Sequence, residues 1–247
     1  MSRRYLDRSF RAHVPDEETA RKYLLRLPGR QLYYEPCSLP SITSADLFGN
    51  DLPLDLEIGC GTGEYLCALA RQEPGANFLG VDLHLRSLHS AINIASELGL
   101  DNIRFAKANF RLMYPVLAPA ALRAIYLHFP DPNMQPRFRK RRIFSERFLD
   151  EAQRALIPGG RLSVMTDHRE FFFDMLRLAE RDERWERTHE ECYLAGFDPP
   201  VKSRYHRIWE GHGLPTLRFE LAPRELAGSS TGRDGRGGAV AAVRTQR

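Results

Sequence analysis

Between residues 52 and 181, short apolar runs alternate with stretches whose apolar residues recur every three or four positions. The first pattern predicts strands and the second amphipathic helices. Residues 52–58 read as a first strand, and a helix follows from about Thr62 to Gln72. Asn77–Asp82 reads as the second strand. Leu85, Leu88, Ile92, Ala95 and Leu98 keep the helical step, so a helix with one apolar face covers that stretch. Asn102–Lys107 and Leu122–Phe129 predict strands three and four. Ser145 is a capping residue type ahead of a helix to about Leu156, which stops before Pro158-Gly159-Gly160. Arg161–Asp167 predicts strand five, and Glu170–Arg181 a further helix.

Alternation of this kind predicts an α/β, Rossmann-like fold: a mostly parallel, seven-stranded sheet with helices on both faces. Ligands in such sheets sit at the carboxyl ends of the strands. Glu57, Asp82, Asn109, Asp131 and Asp167 all fall at or just beyond those ends, so polar groups converge on one rim. The polar residues 1–50, with prolines at 15, 28, 36 and 40, read as an N-terminal arm and loops around one helix, about Glu17–Arg26. Residues 51–222 form the domain. Residues 223–247 are rich in Gly, Ser, Arg and Ala, too poor in bulky apolar side chains to offset ordering entropy, and predict a disordered tail.

At the first strand–helix junction stands Leu56-Glu57-Ile58-Gly59-Cys60-Gly61-Thr62-Gly63-Glu64. Glycines let a backbone approach a ligand closely, and the helix behind them offers free amides. A dinucleotide site has G-x-G-x-x-G. Here the third glycine, Gly63, comes one residue early, and Glu64 takes the expected glycine's place, where it would repel a pyrophosphate. S-adenosylmethionine carries no phosphate, and Glu57 could hold its cationic amine. Asp82, 19 residues after Gly63, ends the next strand, where a carboxylate can accept both ribose hydroxyls.

A net charge of +4 hints at an acidic partner without proving one. The cysteines at 37, 60, 67 and 192 form no C-x-x-C pair, so neither a metal site nor a redox dithiol is predicted, and buried reduced thiols are. No apolar run approaches the ~18 residues of a membrane span, and the start lacks a signal peptide's apolar core. These features predict a cytoplasmic protein that does not enter a membrane.

Strand four ends in Phe129-Pro130-Asp131-Pro132, where two prolines stiffen the backbone around an acid. Arg137-Phe138-Arg139-Lys140-Arg141-Arg142 follows, five positive charges in six residues. A rigid loop carrying such a run beside a cofactor rim suits a polyanion, although charge runs are also common on solvated faces. If about four of these charges met phosphates, affinity would fall roughly 100-fold between 50 and 200 mM salt.

With these segments in view, the chain resembles the tRNA (guanine-N7)-methyltransferase family of class I methyltransferases. The resemblance is carried by Leu56–Glu64, Phe129–Pro132, Lys140–Arg142, Arg147-Phe148-Leu149, Pro158-Gly159-Gly160, Thr166-Asp167 and Gly213-x-Pro215…Arg218-x-Glu220. It runs from about Leu47 to Leu221. It implies methyl transfer from S-adenosylmethionine to N7 of a guanosine in the tRNA variable loop, position 46; whether the protein is a monomer or homodimer stays open. By the same resemblance Glu57, Asp82 and Asn109 bind the cofactor beside the turn glycines Gly59, Gly61 and Gly63, and Asp131 is both an acid at the catalytic centre and a cofactor-binding residue. Gln135, Arg137, Arg139, Lys140, Arg141, Arg142 and Asp167 are implied on the tRNA side, with Ser203, Tyr205 and His206 helping to hold the target guanosine. The chain departs from the family where Asn133 replaces a tryptophan, Gln135 a lysine, Phe138 a histidine and His206 a glutamate. A carboxylate accepts both donors of guanine's Watson–Crick edge, and a neutral imidazole only one. Two other readings therefore stay open: a related RNA methyltransferase with another target, or a non-catalytic RNA-binding relative.

Overall fold

The computed structural model describes residues 13–196, 199 and 201–224, without the side chains at 136, 138 and 139. The basic tail therefore lies outside the described residues beyond 224.

The strands are β1 (Leu24–Arg26), β2 (Leu54–Ile58), β3 (Asn77–Asp82), β4 (Ile103–Lys107), β5 (Leu122–His128), β6 (Leu156–Thr166), β7 (Trp185–Arg187), β8 (Leu194–Ala195) and β9 (Leu217–Pro223). The helices are α1 (Glu17–Tyr23), α2 (Gly29–Tyr34), α3 (Ser44–Phe48), α4 (Glu64–Gln72), α5 (Leu85–Glu97), α6 (Glu146–Ala155), α7 (Arg169–Glu180) and α8 (Arg204–Gly211). Among the described residues one sheet runs in the order β1-β4-β3-β2-β5-β6-β9-β7, with β8 beside β9. Strands β1 to β6 pair in parallel, while β9 runs antiparallel to β6, β7 and β8. The seven strands expected of this fold class are thus joined by two short ones.

From β2 the chain steps outward to β3 and β4, then returns to β5 on the other side of β2. That reversal opens a crevice at the carboxyl ends of β2 and β5. Alternation along β2 places Leu54, Leu56 and Ile58 on one face and Asp55 and Glu57 on the other, all five buried. The apolar side joins Leu127, Val164 and Phe219 to Phe148 of α6 and Phe171 and Phe172 of α7. A second cluster packs Phe78 and Phe105 against Leu66 of α4 and Leu88 and Ile92 of α5.

Three local differences from the sequence reading have physical causes. The first helix ends at Tyr23, because Leu24–Arg26 pairs with β4 as an edge strand. The N-terminal segment thereby becomes part of the sheet. Strand β6 begins at Leu156 and runs through Pro158-Gly159-Gly160, which a register shift opposite Leu122 and Ala124 accommodates. Cys60 and Cys67 are buried thiols, whereas Cys37 and Cys192 are exposed.

Candidate active site at the carboxyl rim of the sheet

The glycine turn after β2 is held by the neighbouring strand. Gly59 N and Cys60 N both donate to Val81 O, at 2.7 and 3.1 Å. Gly61 N donates to one Asp82 carboxylate oxygen at 2.9 Å, and His84 N to the other at 2.7 Å. Asp82 therefore ties the turn to β3 and still presents lone pairs to the rim. All three glycines take positive φ (76°, 55° and 76° at Gly59, Gly61 and Gly63), which a side chain disfavours. Their surroundings differ. A Cβ on Gly59 would meet nothing within 4 Å, so its backbone edge is open to a ligand. A Cβ on Gly63 would lie 2.5 Å from Ala91 Cβ, so this glycine lets α4 pack on α5.

Glu57 stands just before the turn, 4% exposed, and its Oε2 has no hydrogen-bond partner. Burial, reinforced by the charges of Asp82 and Glu64, pushes its carboxyl up to about 8. A buried acceptor without a donor is costly, and it marks where a ligand's donor fits. The same burial raises the Cys60 thiol well above its ordinary value and the Cys67 thiol to about 12.

A cavity of about 310 Å³ opens on this turn, walled by Gly59, Asp82, Asn109, Phe110, Pro130 and Asp131 among others. Asn109 Oδ1 accepts from Arg111 N at 3.1 Å, which fixes the turn after β4. Asp131 reaches the cavity through strained backbone. Phe129 has φ 50°, unusual for a bulky residue and more so before proline, and Asn133 has φ 42°. Phe129 N donates to Met165 O at 2.7 Å, and its ring packs with Met165 and Trp209. Asp131 Oδ1 accepts from Asn133 N at 3.1 Å. A smaller cavity of about 40 Å³ also borders Gly59 and Phe129, lined by Glu57, Tyr65, His128 and Ser203.

Residues 51–216 match the family model described as "Putative methyltransferase". The chain is 60% identical to the tRNA (guanine-N(7)-)-methyltransferase of Rubrobacter xylanophilus, covering 90% of this chain and 99% of that one. It is 38% identical to the enzyme of the same name from Chloroherpeton thalassium, over 85% of this chain and 93% of that one. Among solved structures, the antibiotic-resistance methyltransferase Kmr aligns with a TM-score of 0.53 at 18% identity, covering 76% of this chain and 96% of that one. That likeness shows the fold. The chain belongs to the tRNA (guanine-N7)-methyltransferase family. It is accordingly a methyltransferase, and its family implies S-adenosylmethionine. The site fits that cofactor: an unpartnered buried carboxyl oxygen suits its ammonium, and an open glycine edge admits its backbone-hugging chain.

The tRNA-side residues that the family resemblance implies are dispersed. Gln135, Arg137, Lys140 and Arg141 are exposed, and Arg141 lines the larger cavity. Arg139 falls in the same 3-10 turn, Pro136–Arg141, with its side chain outside the description. Arg142 is turned inward, against the expectation that it meets tRNA. Its Nε donates to Pro132 O at 2.7 Å and its Nη1 to Asp174 at 2.9 Å, while the guanidinium lies 4.6 Å from the Phe171 ring centre. It clamps the Pro130–Pro132 loop onto α7. Asp167 lines a different depression, of about 370 Å³, with Phe173, Tyr193 and Leu214, and is not a wall residue of Asp131's cavity. Ser203 Oγ accepts from His206 N at 3.2 Å and caps α8, and Tyr205 sits with its ring 5.9 Å from that of Phe129. His206 is 3% exposed on the buried face of α8, with Nε2 3.4 Å from Thr216 Oγ1, and lines neither cavity at the glycine turn.

Other residues were not legible in advance. β1–β4 register sets Arg26 beside Lys107 at the same sheet rim, and Arg111 Nη1 donates to Lys140 O at 3.4 Å. Arg26, Lys107 and Arg111 are exposed, as is the Tyr33–Tyr34 pair on α2. These positions are far apart in sequence and no local motif announces them. Among the described residues no cluster of His, Cys, Asp or Glu could hold a metal ion, and no helix is long and apolar enough to cross a membrane.

Proposed function

We propose that this methyltransferase moves a methyl group from S-adenosylmethionine to N7 of guanosine 46 in the tRNA variable loop. The observation that carries the reading is the larger cavity: it gathers the open Gly59 edge, Asp82, Asn109 and the rigidly held Asp131 on one wall system beside the buried Glu57. In this reading Glu57 holds the cofactor's ammonium, Asp82 its ribose hydroxyls, and Asn109 with Ala108 and Phe110 the adenine end. The cofactor when bound supplies an electrophilic methyl group on a sulfonium.

Guanine N7 has a free lone pair and no proton to lose, so no strong base is required beforehand. What the protein contributes is alignment, which can supply roughly 7–11 kcal/mol. Methylation places positive charge on the guanine ring, and Asp131 on the cavity wall stabilises that charge as it develops. Arg141 and Arg111 line the same cavity, and exposed Lys140, Lys107 and Arg26 continue the cationic rim, which suits the phosphates on either side of a flipped-out nucleotide. Exposed Tyr33 and Tyr34 offer rings for unstacked bases.

One structural point favours a neighbouring reading. Asp167 and His206 are not among the residues lining Asp131's cavity, so the guanine-reading groups implied by the resemblance do not share its wall. The deciding experiment incubates the protein with methyl-labelled S-adenosylmethionine and unmodified tRNA, then cleaves the chain at N7-methylguanosine. Label at guanosine 46 is expected. Label at another base or position would replace the target while keeping the chemistry. Cofactor binding without transfer would leave only an RNA-binding relative.

A further inference from the structure

The small cavity behind the glycine turn is lined by two residues with buried polar atoms that no partner satisfies, Glu57 Oε2 and His128 Nδ1. The neighbours define the state of each. Ser163 Oγ accepts from Arg218 Nε at 3.2 Å and lies 3.2 Å from His128 Nε2. Ser163 is buried, and its hydroxyl proton has no other acceptor among the described residues. Ser163 therefore donates to Nε2, which places the proton of the neutral ring on Nδ1. The imidazole is fixed edge-on between Tyr65 and Tyr126, with ring centres 4.9 and 5.5 Å away. Burial, with the charge of Arg218 and then His206, holds its pKa down to about 3, so it stays neutral at working pH.

His128 thus offers a donor that lacks an acceptor, and Glu57 an acceptor that lacks a donor. A lone ammonium would satisfy only the second, and a lone anion only the first. An α-amino acid end carries both groups on one carbon. We propose that His128 is a cofactor-positioning residue: its Nδ1–H holds the carboxylate of the amino acid end of S-adenosylmethionine, while Glu57 holds the ammonium. This rests on the cofactor half of the proposed function and is independent of the tRNA target. His128 also borders the larger cavity, so it stands where the amino acid end would join the rest of the cofactor. The Arg218–Ser163–His128 chain, drawn from β9, β6 and β5, sets the tautomer from behind.

The test is calorimetric and uses the full chain without tRNA. S-adenosylmethionine is compared with its decarboxylated analogue on wild type, His128→Phe, His128→Asn and Glu57→Gln. A hydrogen bond to a carboxylate should make wild type prefer the intact cofactor by about 10- to 100-fold. His128→Phe should lose most of that preference, His128→Asn, which keeps an N–H donor, should retain part of it, and Glu57→Gln should weaken both ligands alike. Equal preference in wild type and His128→Phe, or no preference in wild type, overturns the assignment while leaving the cofactor reading intact. Wild type that binds neither ligand overturns both. Should His128→Phe fail to fold, the Asn variant and the wild-type ratio still decide.

Discussion

Two buried acids on β2, Asp55 and Glu57, lie on the same face two residues apart and have opposite surroundings. Asp55, at the amino end of the strand, is 0% exposed and fully engaged. Arg123 donates to both its oxygens at 2.8 Å, and Tyr126 Oη donates to it at 3.1 Å. Glu57, at the rim, has an orphaned oxygen and a carboxyl pushed up to about 8. A buried charge without partners is unfavourable on its own, so at the rim Glu57 keeps its proton, whereas at the base Arg123 and Tyr126 satisfy Asp55. The contrast separates a paired acid from one proposed to receive the cofactor, and residue type alone cannot make that separation.

The strongest way to break the contrast is at the base. Arg123→Ala leaves Asp55 buried with one phenol donor, and removing one partner of such a pair costs about 3–5 kcal/mol. Urea unfolding should show that loss. A change below about 1 kcal/mol would mean that the pair is solvated or replaceable, and the distinction from Glu57 would lapse.

At the rim the effect should appear in chemistry instead. Asp131 is exposed, so Asp131→Ala should leave stability within about 0.5 kcal/mol. Cofactor affinity should stay within a few-fold while single-turnover methylation of tRNA falls at least ~100-fold, about 2.7 kcal/mol of transition-state stabilisation. Turnover like wild type would remove Asp131 from the centre.

How much of this could be read from residues alone follows the same division. Strand β3 was legible to its last residue because Asn77–Asp82 is a compact apolar run closed by an acid. The helix Leu85–Glu97 was legible because its buried positions, Leu88, Ile92 and Ala95, repeat at helical spacing. The turn Gly59–Gly63 was legible because positive φ leaves a glycine signature. By contrast β1 is three residues long and exists only through pairing with β4. Arg142 looked like one more cation in a basic run. Its inward turn depends on Asp174 and Phe171 arriving from α7. His128 had no local signal, since its tautomer is imposed by Ser163 and Arg218 from two other strands.

Glu57→Gln gives an intermediate effect, and its pH dependence sharpens the comparison. The native carboxyl, raised from 4.5 to about 8 by burial and then by the facing charges of Asp82 and Glu64, keeps a proton that the unfolded chain releases. Stability of the ligand-free protein should therefore fall as pH rises from about 4.5 to 8, and the Gln variant should lack that slope. Cofactor binding has the reverse dependence: an ammonium favours the ionised carboxyl, so affinity should climb towards pH 8. It should decline once the cofactor's own α-amino group, near 7.7–8.0 when free, loses its proton. Replacing the carboxyl should weaken binding about 10- to 100-fold at pH 8 and flatten the acidic limb. Thermal melts and calorimetry across pH 6–9 check both limbs, and parallel profiles for the two proteins would deny Glu57 the receiving role.

The smallest effects are expected in the basic run, where one cation inside and two outside repeat the contrast between base and rim. Lys140 and Arg141 are exposed, so Lys140→Ala/Arg141→Ala should fold normally and bind tRNA with a shallower log–log salt slope. The slope should drop by about 0.9 for each phosphate that the variant no longer neutralises. Arg142→Ala should do the opposite. Its guanidinium is tied to Pro132 O, Asp174 and the Phe171 face, so its removal frees the Asp131 loop and lowers stability, with the salt slope unchanged. A shallower slope in Arg142→Ala would return that arginine to the tRNA-facing set, and an unchanged slope in the double variant would make the run a solvated face. Because the three residues are consecutive, any rule based on local charge density must treat them alike. A split between them would show that the strand ends and α7, rather than the run itself, decide which cations remain available to RNA.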